Sequence, residues 1–355
     1  MQSTRDSKHR LLKRIVKTHK SNTNKSKTII WLTFTAGKET RMDIYSIGEM
    51  VIDFIPGEEA GSFIRNAGGA PANVAIAAAR NGLETGMCCK VGEDDFGRFL
   101  VATLQKEGVK VMCEKLCEEA TTTMAFVSLK ADGERSFTFA RKPGADMFLK
   151  EFEVLEEDIT AARVVHAGSC SLSAEPVASA TRKALRLGHE MGKIVSFDIN
   201  YRNLMWKDDK DSCAKAVMEI LPYVDILKIS EEEVDMVGGE ENIDLLMKEQ
   251  ELTAVILTLG ADGARVFFDG KSFDIAGRKV KAVDATGAGD AFWGGFLSSL
   301  LLQGATHTTD ITAPMIQKAM EYGNISGALC VQKKGAISSL PTREEIEQII
   351  RREAV

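Results

Sequence analysis

The chain has 355 residues, of which 44% are hydrophobic and 27% are charged, and its formal net charge is −6. These proportions are typical of a globular protein with one large α/β domain or two modest ones. The acidic balance disfavours a nucleic-acid-binding protein, and no membrane-spanning segment is predicted, so we expect a small molecule as the partner.

The first 41 residues differ in composition from the rest of the chain. Residues 1–28 carry nine Lys and Arg and one acid, Asp6, and the apolar stretch 29–32 follows. This order resembles a signal peptide, but the stretch is too short to span a membrane and no small-x-small cleavage site follows. We predict a disordered basic extension or an upstream start at 1–41, with a basic anchoring tail as the alternative. The folded domain is then 42–355.

From residue 42 the pattern alternates between strands and helices. It predicts a first strand at 44–55, a helix at 71–80, a strand at 88–91 and a helix at 96–107. Two β-rich runs at 121–130 and 135–140 flank Asp132-Gly133, which is a hairpin signal. A hairpin inside an α/β chain predicts a separate small sheet.

The second half of the chain repeats short apolar strands and helical segments. Strands are predicted at 164–166, 194–199, 225–229, 254–259, 263–268 and 271–275. Helices are predicted at 174–191, 210–221, 231–237, 290–302, 313–330 and 342–352. This alternation favours a doubly wound parallel sheet, in which ligands bind beyond the carboxyl ends of the strands. Candidate binding residues follow those ends: Asp53, Asn200, Ser230 and Gly260.

The loop and helix start at 283–292, which reads VDATGAGDAF, is the strongest local candidate for chemistry. Small residues before a helix can present backbone N–H groups to an anion, and Asp290 can accept the proton of an attacking hydroxyl. The alternative is that Asp290 only complements the helix dipole. Neither a Walker A motif nor a G-x-G-x-x-G fingerprint is present, so P-loop NTPases and Rossmann dehydrogenases are disfavoured.

The seven cysteines are odd in number and lie mostly within apolar runs. Such a distribution favours reduced thiols and a cytoplasmic location. Cys113 and Cys117 have no accompanying histidine pattern, so a metal–thiolate site is disfavoured.

Two segments together resemble a known family. Residues 284–292 (DATGAGDAF) and 68–75 (GGAPANVA) are similar to the paired signatures of the ribokinase, or PfkB, carbohydrate kinases, in the same order. The resemblance extends from residue 42 to the C-terminus. Within the family, 48–56, 139–146 and 197–202 are most similar to fructokinases, with 2-keto-3-deoxygluconate kinases next.

The resemblance implies a fold, an activity and a partner. The fold is a doubly wound, mostly parallel α/β sheet with helices on both faces and a small β lid, from about 54–67 and 118–142. The activity is ATP- and Mg²⁺-dependent phosphorylation of a primary hydroxyl of a small sugar, with fructose as the first candidate, and a homodimer through the lid is expected. The alternatives are 2-keto-3-deoxygluconate, a nucleoside or another small alcohol as substrate, or a catalytically silent sugar-binding regulator.

The resemblance also implies roles for individual residues on the sugar side. Asp290 is the expected base, and the N–H groups of Gly287, Ala288 and Gly289 form the anion hole. The sugar is expected to contact Asp53, Gly69, Asn73 and Arg141. A helix cap for Asn73, a turn for Asp53 and a solvated lid position for Arg141 are the structural alternatives. If Arg141 and Arg202 both point into the pocket, an acidic substrate is favoured.

On the nucleotide side, the resemblance implies contacts from five residues: Lys228, Thr258, Gly260, Gly263 and Asn324. Glu233 is expected to order a water on magnesium, although Ser230 stands where the family typically has Asn. Asp284 and Ser339 are expected to contribute to a monovalent cation site, with potassium as the candidate ion.

Overall fold

The computed structural model describes residues 41–59, 61–113, 115–129 and 135–353. The predicted extension, apart from Arg41, and the Asp132-Gly133 turn lie outside these residues. No helix in the described ranges is long and apolar enough to cross a membrane.

The strands, in chain order, are β1 Met42–Ile47, β2 Val51–Pro56, β3 Phe63–Gly68, β4 Thr85–Cys88, β5 Lys110–Val111, β6 Met124–Leu129, β7 Arg135–Ala140, β8 Ala162–Gly168, β9 Ile194–Asp198, β10 Ile226–Ser230, β11 Ala254–Thr258, β12 Gly263–Phe268 and β13 Lys271–Ala276. The α-helices are α1 Ala70–Arg80, α2 Asp95–Lys106, α3 Glu156–Ala161, α4 Val177–Glu190, α5 Lys210–Ile220, α6 Ile243–Glu249, α7 Ala288–Leu302, α8 Ala313–Cys330 and α9 Arg343–Glu353.

Nine strands form the large sheet in the order β13-β12-β11-β10-β9-β8-β1-β4-β5. Pairing is parallel from β5 to β11, whereas β12 and β13 extend one edge as an antiparallel hairpin. The strand order runs in opposite directions on the two sides of β1. The predicted doubly wound, mostly parallel sheet is confirmed.

Helices cover both faces of this sheet because successive strand residues point to opposite sides. On β1, Tyr45 packs into one buried cluster with residues of α4 and α5, such as Ala184 and Val217. Its neighbour Ile44 packs into a second cluster with Trp293 of α7. The alternating apolar pattern therefore produces two cores with the sheet between them.

The second sheet has four strands in the order β3-β2-β6-β7 and contains the predicted hairpin. Its aromatic residues pack together, with the Phe54 and Phe126 rings stacked at 4.9 Å between centroids. Phe63 meets the Phe126 ring edge-on at 5.8 Å. The expected small β sheet is thus a separate body of structure, and we call it the lid.

The first predicted strand was wrong as a single element. Residues 44–55 form the end of β1 and most of β2, which belong to different sheets. Gly48 separates them with a φ of 151°, and a Cβ there would lie 2.6 Å from the Pro71 ring. The backbone turns where only glycine fits against α1, and an apolar pattern does not report this turn.

Two other predicted elements were misplaced. The strand expected at 88–91 is Thr85–Cys88, because its partner β1 ends at Ile47, opposite Cys88. The helix expected at 231–237 is only a 3₁₀ turn at Val234–Val237. Just before it, the Glu233 carboxylate accepts the N–H of Ser230 at 2.8 Å, which stabilises a turn instead of a regular helix.

Candidate active site

A cavity of about 600 Å³ lies where the carboxyl ends of the large sheet meet the lid. It is lined by lid residues including Val51, Asp53 and Val127, and by the 283–290 loop that precedes and begins α7. This is the position at which doubly wound sheets bind ligands, and its volume suits a small molecule.

Asp290 lies in the first turn of α7 and is only 6% exposed. The Asn73 side-chain amide donates to its Oδ2 at 2.7 Å, and the Asn200 amide approaches Oδ1 at 3.4 Å. Asn73 comes from α1 and Asn200 follows β9, so three separate elements fix this carboxylate. Asn73 is therefore not a helix cap, and its Oδ1 is a buried acceptor with no partner in the described part of the chain.

The loop before Asp290 is shaped by Gly287, the residue that caps α7, with a left-handed φ of 78°. A Cβ on Gly287 would lie 3.1 Å from the Ala336 Cα, so a side chain would press on the neighbouring loop. The Ala288 N–H donates to Ala285 O at 3.1 Å. The N–H groups of Gly287 and Gly289 meet no acceptor among the described residues, which leaves two amides available to an anion at this helix N-terminus.

Asp53 lies in β2 and faces the cavity, so it is not a turn residue. Burial raises its pKa to about 6, opposed by Arg202 and reinforced by Asp290. A Cβ on Gly68 would lie 2.1 Å from the Asp53 Oδ2, so this glycine makes room for the carboxylate. Gly69, with a φ of 116°, lets the backbone pass close to the Glu49 carbonyl oxygen.

Arg141 is not a solvated lid residue, because its side chain is 8% exposed. Its guanidinium pairs with Asp146 at 2.8 Å and reaches the Ser173 hydroxyl at 3.3 Å. It is not among the residues that line the cavity, whereas Arg202 is. The two arginines therefore do not both point into the pocket.

Lys228 forms a buried ion pair with Asp198, whose two oxygens lie 2.9 and 2.8 Å from its Nζ. Burial lowers the pKa of Lys228, but the carboxylates of Asp198 and Glu233 outweigh this effect and raise it. A Cβ at Gly289 would lie 3.6 Å from this Nζ. A positive charge thus lies directly beside the anion loop.

Glu233 is 5% exposed and accepts backbone N–H groups from Tyr201 at 2.6 Å and Ser230 at 2.8 Å. It therefore joins the loops that follow β9 and β10. In the described ranges, no group of three or more acidic, histidine or cysteine side chains is placed to hold a metal.

The other predicted nucleotide residues lie near the ends of β10 to β13. Thr258 ends β11 opposite Ser230 and donates to Ile229 O at 3.2 Å. Gly260 begins the following turn with a φ of 54°. The Asn324 amide donates to the carbonyls of Ile275 and Ala276 at 3.2 and 3.1 Å, which ties α8 to β13.

Gly263, another predicted nucleotide contact, is also required by the backbone of the β12–β13 hairpin. Its φ is 108°, and a Cβ there would lie 2.1 Å from the Ile275 carbonyl oxygen, so a side chain would break the β12–β13 hairpin.

The two residues predicted to bind a monovalent cation, Asp284 and Ser339, both make contacts in the loop at 335–339. Asp284 Oδ2 accepts the Gly335 N–H at 3.0 Å, and its Oδ1 accepts the Thr286 hydroxyl at 2.6 Å. The Ser339 hydroxyl bonds Ala336 O at 2.7 Å and lies 2.9 Å from the Cys330 sulfur. These contacts fasten the 335–339 loop beside the start of α7.

Asn200 was predicted as a candidate binding residue from its place after the carboxyl end of β9, and the structure places its amide beside Asp290. Sequence reasoning gave no site role to Glu49. Glu49 occupies the corresponding place after β1, but an isolated acid in an apolar segment gives no sign of its orientation.

The fold and the site together define a class of protein. A doubly wound sheet presents a fixed carboxylate at a helix N-terminus, in a cavity lined by polar side chains that can hydrogen-bond to hydroxyls, as in an enzyme that transfers a phosphoryl group to an alcohol. Residues 41–343 match the model of the pfkB family of carbohydrate kinases. The chain belongs to this family.

Similar proteins agree with this assignment and with the predicted likeness to fructokinases. The chain is 38% identical over 317 residues to fructokinase-1 of Oryza sativa subsp. japonica, covering 86% of this chain and 97% of that protein. It is 37% identical to fructokinase-1 of Zea mays, covering 89% and 98%.

Solved structures extend the likeness. A Xylella fastidiosa fructokinase with bound ATP superimposes with a TM-score of 0.81 at 27% identity, covering 89% of this chain and all of that one. A Vibrio cholerae O395 fructokinase with fructose, ADP and calcium bound gives 0.77 at 33% identity, covering 87% and 99%.

Proposed function

We propose that this protein is a fructokinase, which transfers the γ-phosphoryl group of ATP to the primary hydroxyl of fructose. The observation that carries the proposal is the Asp290 carboxylate, held by Asn73 in a cavity that it shares with Asp53. The fructokinase relatives support fructose as the sugar, and the Xylella structure supports ATP as the donor.

The reaction balances with one proton transfer. Asp290 accepts the proton of the sugar hydroxyl while the oxygen of that hydroxyl forms a bond to the γ-phosphorus. The bond from that phosphorus to the β–γ bridging oxygen breaks, and ADP leaves with the electron pair.

Several residues of this chain would stabilise the developing charge. The N–H groups of Gly287 and Gly289 lie at the N-terminus of α7, where they could bind the phosphoryl oxygens, and the ammonium group of Lys228 lies beside Gly289. Magnesium, when bound with the nucleotide, would neutralise phosphate charge, and Glu233 would hold one of its waters. Thr258, Gly260 and Asn324 remain proposed nucleotide contacts at the ends of β11 to β13.

The sugar would contact Asp53, the Gly69 backbone and Asn73. The buried Oδ1 of Asn73 has no partner in the described structure, so a sugar hydroxyl would complete its hydrogen bonding. Asp53 is an acceptor for a second hydroxyl.

A neutral substrate fits this cavity better than 2-keto-3-deoxygluconate. Four acidic side chains line it, Glu49, Asp53, Asp284 and Asp290, against two basic ones, Arg202 and Lys334. Arg141, the other arginine that would favour an acidic substrate, is paired with Asp146 and is not among the lining residues. A neutral nucleoside remains a second candidate, because an aminoimidazole riboside kinase of Salmonella enterica superimposes with a TM-score of 0.75 at 28% identity.

Three further features belong to the same proposal. A monovalent cation, potassium in the first instance, would bind near Asp284 and Ser339, as a Vibrio cholerae fructokinase variant was crystallised with potassium. The lid would form a homodimer interface. A cytoplasmic location accords with seven free, buried cysteines, and a fluorescent fusion would test it.

The experiment is an ADP-release assay with ATP and Mg²⁺ against fructose, ribose, glucose, 2-keto-3-deoxygluconate, adenosine and tagatose, with and without potassium. We expect strong turnover on fructose that potassium raises. Greater turnover on another alcohol would replace the substrate. Sugar binding with no turnover would instead support the silent regulator, which Ser230 at the family's Asn position left open.

A further inference from the structure

Glu49 is a buried acid in the cavity that the proposed reaction does not use. It lies between β1 and β2, at the carboxyl end of β1, and is 5% exposed. Its Oε1 accepts the N–H of Ala70, the first residue of α1, at 3.1 Å. Its Oε2 is buried and has no hydrogen-bond partner in the part of the chain that the structure describes.

No cation is paired with this carboxyl group among the described residues. The Arg141 guanidinium acts on it electrostatically, but it is engaged with Asp146 at 2.8 Å. The other titratable neighbours are Cys89 and Cys170, whose thiols are themselves buried. Glu49 thus faces one ion pair and two neutral thiols.

This environment favours the protonated acid. Burial raises the pKa of Glu49 to about 7, reinforced by Asp146 and opposed by backbone hydrogen bonds and Arg141. A protonated carboxyl carries one O–H donor. With Oε1 bonded to Ala70, the unpartnered Oε2 is the atom that can bear the proton, and a buried donor without an acceptor is unfavourable.

We propose that Glu49 is a sugar-binding residue that donates a hydrogen bond from its Oε2–H to an oxygen of the bound sugar. The inference rests on the proposed sugar kinase activity and adds a donor to a cavity in which Asp53 supplies an acceptor. A donor and an acceptor in one cavity distinguish a polyol from an apolar ligand, so Glu49 contributes to specificity.

A defined pH dependence follows. Above about pH 7, Glu49 loses the donated proton and its charge repels the sugar oxygen, so sugar affinity falls. Below about pH 6, Asp53 becomes protonated and loses acceptor strength, so affinity also falls. Sugar affinity is therefore greatest between these two values.

The test is the fructose dissociation constant, measured by calorimetry on the full chain from about pH 5.5 to 8.5. Glu49→Gln keeps an N–H donor and an oxygen for Ala70, so we expect wild-type affinity at pH 6.5 without the loss above pH 7. Glu49→Ala removes the donor, and we expect at least a tenfold weaker affinity, a smaller change in kcat and an unchanged KM for ATP. The exposed Glu157→Gln is the matched control and should retain the wild-type profile.

Three results would overturn the inference: a flat wild-type profile above pH 6.5, a Glu49→Gln variant that retains the alkaline loss, or Glu49→Ala with wild-type affinity and only a lower melting temperature. The last result would reduce Glu49 to a contact that stabilises the start of α1. Because affinity is measured without turnover, failure of the kinase reaction is seen separately in the ADP assay. Absence of any sugar binding would overturn both proposals.

Discussion

Asp290 shows how one side chain acquires a chemical role from its partners. Helix N-termini commonly carry acids, but the Asn73 and Asn200 amides hold both oxygens of this one while its 6% exposure keeps it in contact with the cavity. Two donors from different elements fix the orientation of the carboxylate, and each of its oxygens keeps acceptor capacity for a proton. Its orientation is the reason for assigning it to catalysis.

We predict that Asp290→Asn lowers kcat by about 100-fold or more while fructose binding changes by a few-fold at most. Positioned general bases contribute roughly 10²–10⁴ in rate, and asparagine keeps the shape but cannot accept the proton. Single-turnover kinetics and calorimetry measure the two effects. Glu344→Gln, an exposed acid at the start of α9, is the control. Wild-type turnover in Asp290→Asn would exclude the proposed base.

Asp53 allows a prediction for stability against pH. Its pKa is 3.8 ordinarily and about 6 in the folded protein, so the folded state binds more protons than the unfolded state between these values. Folding stability from this residue is therefore lost as the pH rises from about 4 to about 6. Asp53→Asn should melt higher than wild type at pH 8, with little difference at pH 4, while binding fructose more weakly.

Thermal unfolding of the ligand-free protein at the two pH values measures this difference. An equal shift at both pH values would mean that packing, and not the charge of Asp53, is responsible.

Among the elements, the start of α7 combines backbone geometry with chemistry. Gly287 needs a left-handed φ of 78° and also leaves no room for a side chain against Ala336. Gly304, beyond the other end of the same helix, has a φ of 101° with open space around its Cα. Comparing substitutions at these two glycines distinguishes the effect of backbone strain from the effect of changing the loop's function.

We predict that Gly304→Ala destabilises the protein by about 1–2 kcal/mol, the cost of a left-handed conformation for a residue with a Cβ, and that Gly287→Ala destabilises it by more, because its Cβ also presses on Ala336. Turnover should fall at least tenfold in Gly287→Ala only, because a displaced anion-hole donor commonly costs 10²–10³. Urea unfolding and steady-state kinetics measure both quantities. Equal activity in the two variants would remove the 287–289 loop from the transition state.

At the scale of the whole molecule, the lid has an apolar edge strand. β3 is one of the two outer strands of that sheet, and it exposes Phe63 and Ile64 at 46% and 52%. An apolar edge strand with unpaired backbone groups favours association with another strand, which supports the proposed homodimer.

We predict that the wild type sediments as a dimer and that Ile64→Asp sediments as a monomer, because a carboxylate would be buried in the interface. Phe152→Asp is the matched control: Phe152 is 71% exposed but lies outside the lid, so its replacement should leave the mass unchanged. Sedimentation velocity gives the result. A monomeric wild type, or an unaffected Ile64→Asp variant, would contradict a dimer through this edge.

The sequence by itself determined the alternation of strands and helices, the separate hairpin sheet and the family. These properties depend on local periodicity and on motifs such as 284–292, in which glycines allow a particular backbone conformation. Both kinds of signal are contained within a few neighbouring residues. The same signals identified Asp290 and Asn73 as members of one site.

Only the tertiary structure decided which side chains meet. Asn73 and Asp290 are far apart in the chain but 2.7 Å apart in space, and Arg141, a predicted sugar contact, pairs with Asp146. The orientation of Glu49 and the splitting of 44–55 between two sheets likewise depend on packing around Gly48. Burial and charge pairing act between distant segments, so a local sequence pattern contains neither.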